Sequence, residues 1–305
     1  MKNNDFHTLK QILELNQNQL KDVMYKLLKK NYKNIINHSA YICAEGTIPI
    51  ALVAHLDTVF SSPPKNIFYD QEQQVMWSPQ GLGADDRAGI FAIIQIIQSG
   101  LLPHIILTTD EEVGAIGAGL LSKNGNPFKD LRYIIQLDRR GSNDCVFYNC
   151  NNIEFIEYVE SFGFVEAYGT FTDISILCPA FGVAGTNLSI GYISEHTFME
   201  TFSLNAFSKT VDKVKKMLTE KVIPKFDYTE FPKGSICGIC NKGFFTNDLI
   251  PFIRKNGQID NICGNCIVNN VNWCALCNHP YEPKQKNNNP AQLNICPICE
   301  KERIK

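Results

Sequence analysis

One feature constrains this chain above all. Several short apolar runs each stop on a carboxylate or an imidazole. ALVAHLD (51–57) ends in His55 and Asp57. IILTTDEEVG (105–114) carries Asp110, Glu111 and Glu112. YIIQLD (133–138) ends in Asp138, and TNLSIGYISEHTF (186–198) runs to Glu195 and His196. A further segment, GLGADDRAG (81–89), sets Asp85 and Asp86 in a glycine-flanked turn that opens an apolar helical pattern closed by Gly100. Short continuous apolar runs of this kind are buried strands, the form strands take in a sheet covered on both faces. Burying the run while ending it on charge requires that the charge find a partner.

Between these runs lie helical patterns. Leu9, Ile12 and Leu13, then Leu20, Val23, Met24, Leu27 and Leu28, recur at helical spacing and predict one or two amphipathic helices near the N-terminus; SLNAFSKTVDKVKKMLTEKV predicts a closing helix. Strand and helix in alternation predict an α/β domain with a mostly parallel mixed sheet and helices on both faces. The helical pattern ends near Val222, Pro224 breaks it, and from about Gly234 the chain is rich in Cys, Asn, Gly and Pro. The expected organisation is an α/β domain over 1–222, a linker over 223–233 and a small cysteine-rich domain over 234–305.

Parallel α/β sheets carry function just past the carboxyl ends of their strands. Taken singly, each polar group there has an ordinary explanation. HLD is a run surfacing into solvent, DD a pair favoured by a helix dipole, EE a solvated loop. Their convergence on one sheet edge is harder to assign to solvation, because so many carboxylates in one cleft repel unless cations neutralise them. Two divalent ions would do so. A nitrogen and oxygen donor set without sulfur points to zinc, with manganese or cobalt as alternatives. Two such ions can share a water, lower its pKa and polarise a carbonyl. A neighbouring carboxylate can then act as base, and an aspartate two residues after a histidine can hold the ring nitrogen the metal does not use.

On these stretches (AHLDTV, GLGADDRAGI, TTDEEVGAIGA, IIQLD and GYISEHTFMET) the chain resembles the dinuclear zinc exopeptidase superfamily of zinc aminopeptidases, peptidase T-like tripeptidases, aminoacylases and deacylases. The resemblance spans roughly 35–220. It implies that His55 binds one metal and Asp57 orients it, that Asp85 bridges both, that Glu111 is the base and Glu112 a ligand, and that Asp138 completes the site with His55 and His196 the site with Glu112. The family's D-x-K/R-x-G phrasing favours Asp85 over Asp86. Only 57 residues separate Asp138 from His196, too few for the dimerisation lid that many members insert, so the compact aminopeptidase architecture fits better. Tyr192 is a candidate carbonyl-polarising donor by position, and Asp173 of FTDISIL a candidate supporting residue.

Eight of the twelve cysteines fall in four C-x-x-C pairs: Cys237 and Cys240, Cys263 and Cys266, Cys274 and Cys277, Cys296 and Cys299. The N-terminus, MKNNDFHTLKQ, has no apolar signal segment, so a cytoplasmic location is expected and the cysteines read as metal ligands before disulfides. Four knuckles make two four-cysteine zinc sites. Sequential pairing closes loops of 22 and 18 residues and gives two zinc ribbons; interleaved pairing gives a cross-braced module. The seven-residue gap at 267–273 favours the sequential form. Residues 233–305 hold nine Lys and Arg against five Asp and Glu. Two tetrathiolate zinc sites would cancel that excess, which weakens a nucleic-acid reading. His279 is a spare donor.

Two function classes follow. The first is a co-catalytic dizinc hydrolase that cleaves an amide bond, an aminopeptidase on peptides or an N-acyl amino acid deacylase, with two catalytic and two structural zinc ions. The second is a binding protein whose tail docks a protein or nucleic acid. No apolar run approaches the roughly 20 residues of a membrane span.

Overall fold

The computed structural model describes residues 3–167, 169–230, 236–244, 249–277, 279–283 and 294–303. By backbone contacts the chain divides into Met1–Thr229 and Glu230–Lys305.

In the first unit the N-terminal pattern resolves into two helices, α1 (Asn3–Leu13) and α2 (Gln17–Asn31). Asn16 makes the break. Its side chain accepts the backbone N–H of Gln19, and the Gln19 side chain returns a bond to the Asn16 N–H, so the opening donors of α2 are satisfied reciprocally. Leu20, Met24 and Leu28, four residues apart, form its buried face. A hairpin follows, β1 (Asn34–His38) and β2 (Tyr41–Glu45), and then β3 (Ile48–His55). Next come β4 (Phe68–Asp70), β5 (Val75–Trp77), α3 (Ala84–Gln98), β6 (Pro103–Thr108), α4 (Ile116–Asn124), β7 (Tyr133–Arg139), β8 (Asp144–Val146), α5 (Ile153–Ser161), β9 (Val165–Glu166), α6 (Asp173–Phe181), β10 (Gly185–Ser189), β11 (Tyr192–Ile193), β12 (Thr201–Ser203) and α7 (Leu204–Leu218).

The main sheet has eight strands in the order β1-β2-β6-β3-β7-β10-β8-β9. Its centre, β6-β3-β7-β10, is parallel, and β1, β2 and β8 join antiparallel to their inner neighbours. Helices flank it in two groups: α3 packs on β3 and β7 with α1 and α7 beside it, while α4 and α6 pack together over β2, β6, β7 and β10. Strands β3, β6 and β7 are buried almost throughout, as continuous apolar runs require. A second, antiparallel sheet, β11-β12-β5-β4, stands apart from the main one.

Part of the stretch expected as linker belongs to this unit. Phe226 is buried in its core. Its carbonyl accepts the Ala184 N–H, and its own N–H donates to the Arg132 carbonyl. A single aromatic in a polar run carries too little periodicity to mark such packing.

The second unit holds β13 (Leu249–Ile253), β14 (Ile259–Cys263), α8 (Gly264–Asn270), β15 (Asn272–Trp273), β16 (Pro280–Tyr281) and α9 (Pro297–Arg303), with sheet order β14-β13-β16-β15. Two small cores lean on one strand. Phe252 of β13 packs with Cys237, Cys263 and Cys266; Ile253, next along and on the opposite face, packs with Cys274, Tyr281 and Cys296. Among the described residues no helix is long and apolar enough to cross a membrane.

At Gly89 helix α3 lies close against the strand beneath it. A methyl there would sit 2.5 Å from the Leu137 carbonyl and 2.5 Å from an Asp86 oxygen, whereas one on Gly119 of α4 meets nothing within 4 Å. Gly89→Ala should therefore destabilise the first unit by about 1–3 kcal/mol through overpacking, and Gly119→Ala should stabilise it by roughly 0.5–1 kcal/mol. Denaturant unfolding followed by circular dichroism checks both. Equal midpoints for the two variants would contradict this packing.

Candidate metal centre

The strand order brings the polar ends together. His55 closes β3, Asp138 lies near the end of β7, and Thr108 closes β6 with Glu111 and Glu112 just beyond it. These three strands are parallel neighbours, so their carboxyl ends share one edge. Asp85 sits in the opening turn of α3, which crosses the same edge, and His196 in the connection between β11 and β12.

Two trios result: His55 with Asp85 and Asp138, and Asp85 with Glu112 and His196, the donor atoms of each lying within 4.8 Å of one another. Asp85 belongs to both and divides its oxygens between them. Its Oδ1 is 3.1 Å from His55 Nε2 and its Oδ2 3.1 Å from His196 Nε2. His55 Nε2 also lies 3.5 Å from Asp138 Oδ1, and His196 Nε2 3.0 Å from Glu112 Oε2. The Asp85–Asp86 peptide bond is cis. The Asp86 carboxylate takes no part in either trio; it accepts the backbone N–H of His55 (3.1 Å) and of Gly89 (2.9 Å) and so ties the end of β3 to α3.

Asp57 holds several parts at once. Its Oδ1 lies 3.2 Å from His55 Nδ1 and accepts the Glu111 N–H at 3.0 Å; its Oδ2 accepts the Glu112 N–H at 3.0 Å. The imidazole thus turns Nε2 toward the carboxylates, and the two glutamates are set by the same group. Arg87 adds a second tie, donating to the carbonyls of Asp57 and Leu15. Asp138 is clamped by three donors: Tyr192 Oη on Oδ1 (2.9 Å), Gln136 Nε2 (3.0 Å) and Thr172 Oγ1 (2.9 Å) on Oδ2. Tyr192, a candidate carbonyl-polarising donor by position, donates its hydroxyl to Asp138. Asp173 lies at the start of α6 and accepts from Thr108 rather than from any residue of the trios. Gln136 and Thr172 carry no sequence signal, since a Gln inside an apolar strand and a Thr before a helix each have ordinary structural uses.

The charges are crowded. Burial, reinforced by neighbouring carboxylates, pushes the Glu111 carboxyl up to about 8 and Glu112 up to about 7, and raises Asp138 above the usual range. Burial opposes the charge on His55, yet Asp138, Asp57 and Asp85 outweigh it and hold the imidazole well above its ordinary value. Burial likewise opposes ionisation of Asp85, but hydrogen bonds from His196 and His55 keep it below the carboxylate range. Protons are thus drawn into a site that favours cations. Glu112 Oε1 is buried and has no hydrogen-bond partner among the described residues. That orphaned oxygen, the two imidazole Nε2 atoms aimed at carboxylates and the shared Asp85 fit a pair of divalent cations with N and O ligands.

In the second unit the cysteines gather as Cys237, Cys240, Cys263 and Cys266, and as Cys274, Cys277, Cys296 and Cys299, the grouping of the sequential pairing. The two clusters are built alike. The Cys263 N–H donates to Cys237 Sγ and the Cys296 N–H to Cys274 Sγ, each at 3.3 Å. Burial opposes ionisation of Cys237 and Cys274, but backbone N–H groups hold the first down at about 7 and the second at about 6. Backbone N–H groups thus favour the thiolate at one cysteine of each cluster, while burial and neighbouring cysteines raise Cys240, Cys266, Cys277 and Cys299; two such four-cysteine clusters fit a zinc-ribbon-like module. His279 is exposed, turns Nδ1 to the Cys277 carbonyl at 2.9 Å and lies outside both clusters.

No family model matches the chain, and no curated protein matches it. Solved structures do. Aminopeptidase PepT from Bacillus cereus is 13% identical with a TM-score of 0.57, the match covering 70% of this chain and 97% of that one. A tripeptidase from Staphylococcus aureus gives 13% and 0.57, covering 70% and 96%. An aminopeptidase from the archaeon Desulfurococcus kamchatkensis gives 14% and 0.53, covering 70% and 94%. At such identities the likeness shows a shared fold, a mostly parallel sheet flanked by helices.

A titration checks the electrostatics. The hydrogen bond to Asp85, with the Glu112 charge behind it, raises His196 to about 9 although partial burial opposes this. A value raised above the ordinary 6.5 means that the bound proton stabilises the metal-free fold fully below about pH 6.5, and that this contribution is lost as pH rises through about 9. In chelator-treated protein the His196 ring resonances should titrate near pH 9 by NMR. A midpoint at or below 6.5 would show that the imidazole does not face these carboxylates.

Proposed function

We propose that the first unit is a metal-dependent aminopeptidase that cleaves the amide bond after an N-terminal residue of a peptide. One observation carries the reading: two His–carboxylate trios share Asp85, with Glu111, held by Asp57 through its N–H and interacting with His55 and Asp138, beside them. A divalent cation pair held by His55, Asp85 and Asp138 on one side and by Asp85, Glu112 and His196 on the other would supply an acidified water and a polarised carbonyl. Zinc suits the donors, with manganese and cobalt compatible.

The chain's own residues do the rest. Glu111 accepts the proton of the attacking water and delivers it to the departing amine. Asp57 fixes the tautomer of His55 through Nδ1 and sets the Glu111 and Glu112 amides, so ligand and base move as one body. The clamp on Asp138 stops that carboxylate from swinging out. Beside Glu112 and Asp57 lies a cavity of about 530 Å³ walled by Leu13, Leu15, Val59, Phe60 and Val113, which gives a substrate side chain an apolar seat. The matched structures are themselves named as peptidases, which supports the same reaction class. In the second unit the two cysteine clusters hold structural zinc and stabilise a small module that can dock a protein.

Leucine and alanine p-nitroanilides, assayed with zinc, manganese and cobalt, test the activity, and N-acyl amino acids separate a deacylase from a peptidase. Glu111→Gln should keep the metal content and lose about 10²–10⁴ in turnover. Near-wild-type turnover with metal content unchanged would remove Glu111 from the mechanism.

The tail has its own test. Under sequential grouping Cys237→Ser and Cys263→Ser damage one site, so the double variant should retain one tail zinc by metal analysis after purification under reducing conditions. Loss of both would contradict the grouping.

A further inference from the structure

Glu200 lies four residues after His196 and is completely buried. Its carboxylate is committed to the start of α3: Oε2 accepts the Gly83 N–H at 2.6 Å and Oε1 the Asp85 N–H at 3.0 Å. No local side chain caps that helix, because the residue at the cap is Gly83, held at φ +71°. The acceptor instead comes from 115 residues further along, on the segment that carries His196. That segment is itself tied. The Glu200 N–H donates to the Thr197 carbonyl, Thr197 Oγ1 to the Ser194 carbonyl, and Thr201 begins β12, which pairs with β5 and β11.

We infer that Glu200 is a positioning residue for the candidate metal centre, fixing the distance between two of its ligand-bearing segments. One end of the device is a compact turn, 194–200, bearing His196. The other is the opening turn of α3, bearing Asp85. Glu200 joins them by binding the backbone of Asp85 itself, and His196 Nε2 then meets Asp85 Oδ2 at 3.1 Å. A carboxylate needed only to cap a helix has no reason to come from the ligand-bearing turn, since a serine or aspartate at the cap position would serve. The inference rests on the metal-centre reading proposed above.

Cobalt(II) titration of the full-length protein separates its failure from the failure of that reading. Thiolate charge-transfer bands mark the cysteine clusters, and weaker d–d bands mark the nitrogen and oxygen site. Glu200→Gln keeps the volume but replaces one oxygen with an amide NH2 that cannot accept a backbone N–H. It should weaken cobalt binding at the nitrogen and oxygen site by about 10–100-fold, the range typical of groups that orient metal ligands, and leave the thiolate bands unchanged. Glu200→Asp, which keeps both oxygens but draws them back, should shift affinity in the same direction and stands in if the first variant does not fold. Thermal unfolding in excess chelator is the control. A lowered midpoint with wild-type cobalt affinity in the folded variants would make Glu200 a helix cap only and overturn the inference. A wild-type protein that takes up cobalt only at thiolates would overturn the metal-centre reading, and this inference with it.

Discussion

The site depends on one electrostatic constraint. Asp85, Glu112 and Asp138 converge on the buried edge of a parallel sheet, and Glu111 stands beside them. Confined like charges raise one another's pKa, and burial raises them further. Burial and neighbouring carboxylates raise Glu111 and Glu112 toward neutrality, and the facing carboxylates raise both imidazoles above their ordinary value. Divalent cations would satisfy the same demand. The rest of the edge serves this demand. Asp57, Asp86, Gln136, Thr172 and Tyr192 contribute hydrogen bonds that fix where each carboxylate and imidazole points. Because nearly every clamp spans two elements, the centre is assembled by the tertiary fold rather than by any one loop.

This explains which parts of the protein are legible in its sequence. The strands are legible because a buried parallel strand is a continuous apolar run, and His55, Glu112 and Asp138 stand out because charge ends such a run. Asp85 is separable from Asp86 only through the phrasing of the surrounding motif. The structure gives the physical difference, one carboxylate facing the imidazoles and the other binding backbone amides. The clamps are not legible. Thr172 reaches Asp138 across 34 residues and Glu200 reaches Asp85 across 115. Nothing local marks a threonine before a helix, or one glutamate among many, as a partner for either. The same holds for Gln17, whose side chain takes both the N–H and a carboxylate oxygen of Asp110, 93 residues away, and so ties the start of α2 to the loop bearing the two glutamates.

The cysteine-rich unit illustrates a different balance. Among its described residues the core consists of two small clusters on opposite faces of β13. A module this small cannot bury enough apolar surface to offset its chain entropy, and metal binding is the usual remedy. The cysteines themselves make up much of each cluster. The identical spacing of the knuckles is legible in sequence, and the seven-residue gap points to their sequential grouping; what the sequence does not show is how the β13–β14 hairpin folds back to bring Cys263 beside Cys237.

The central claim is that Asp85 bridges two cations between the trios. Crystals of the full-length protein grown with zinc, and data collected above and below the zinc absorption edge, test it directly. Two anomalous peaks about 3.5–4 Å apart, the spacing general to co-catalytic pairs, should flank the Asp85 carboxylate, one against His55 and Asp138 and the other against Glu112 and His196. An absence of peaks there, with strong peaks at the cysteine clusters of the same crystal, would contradict the account.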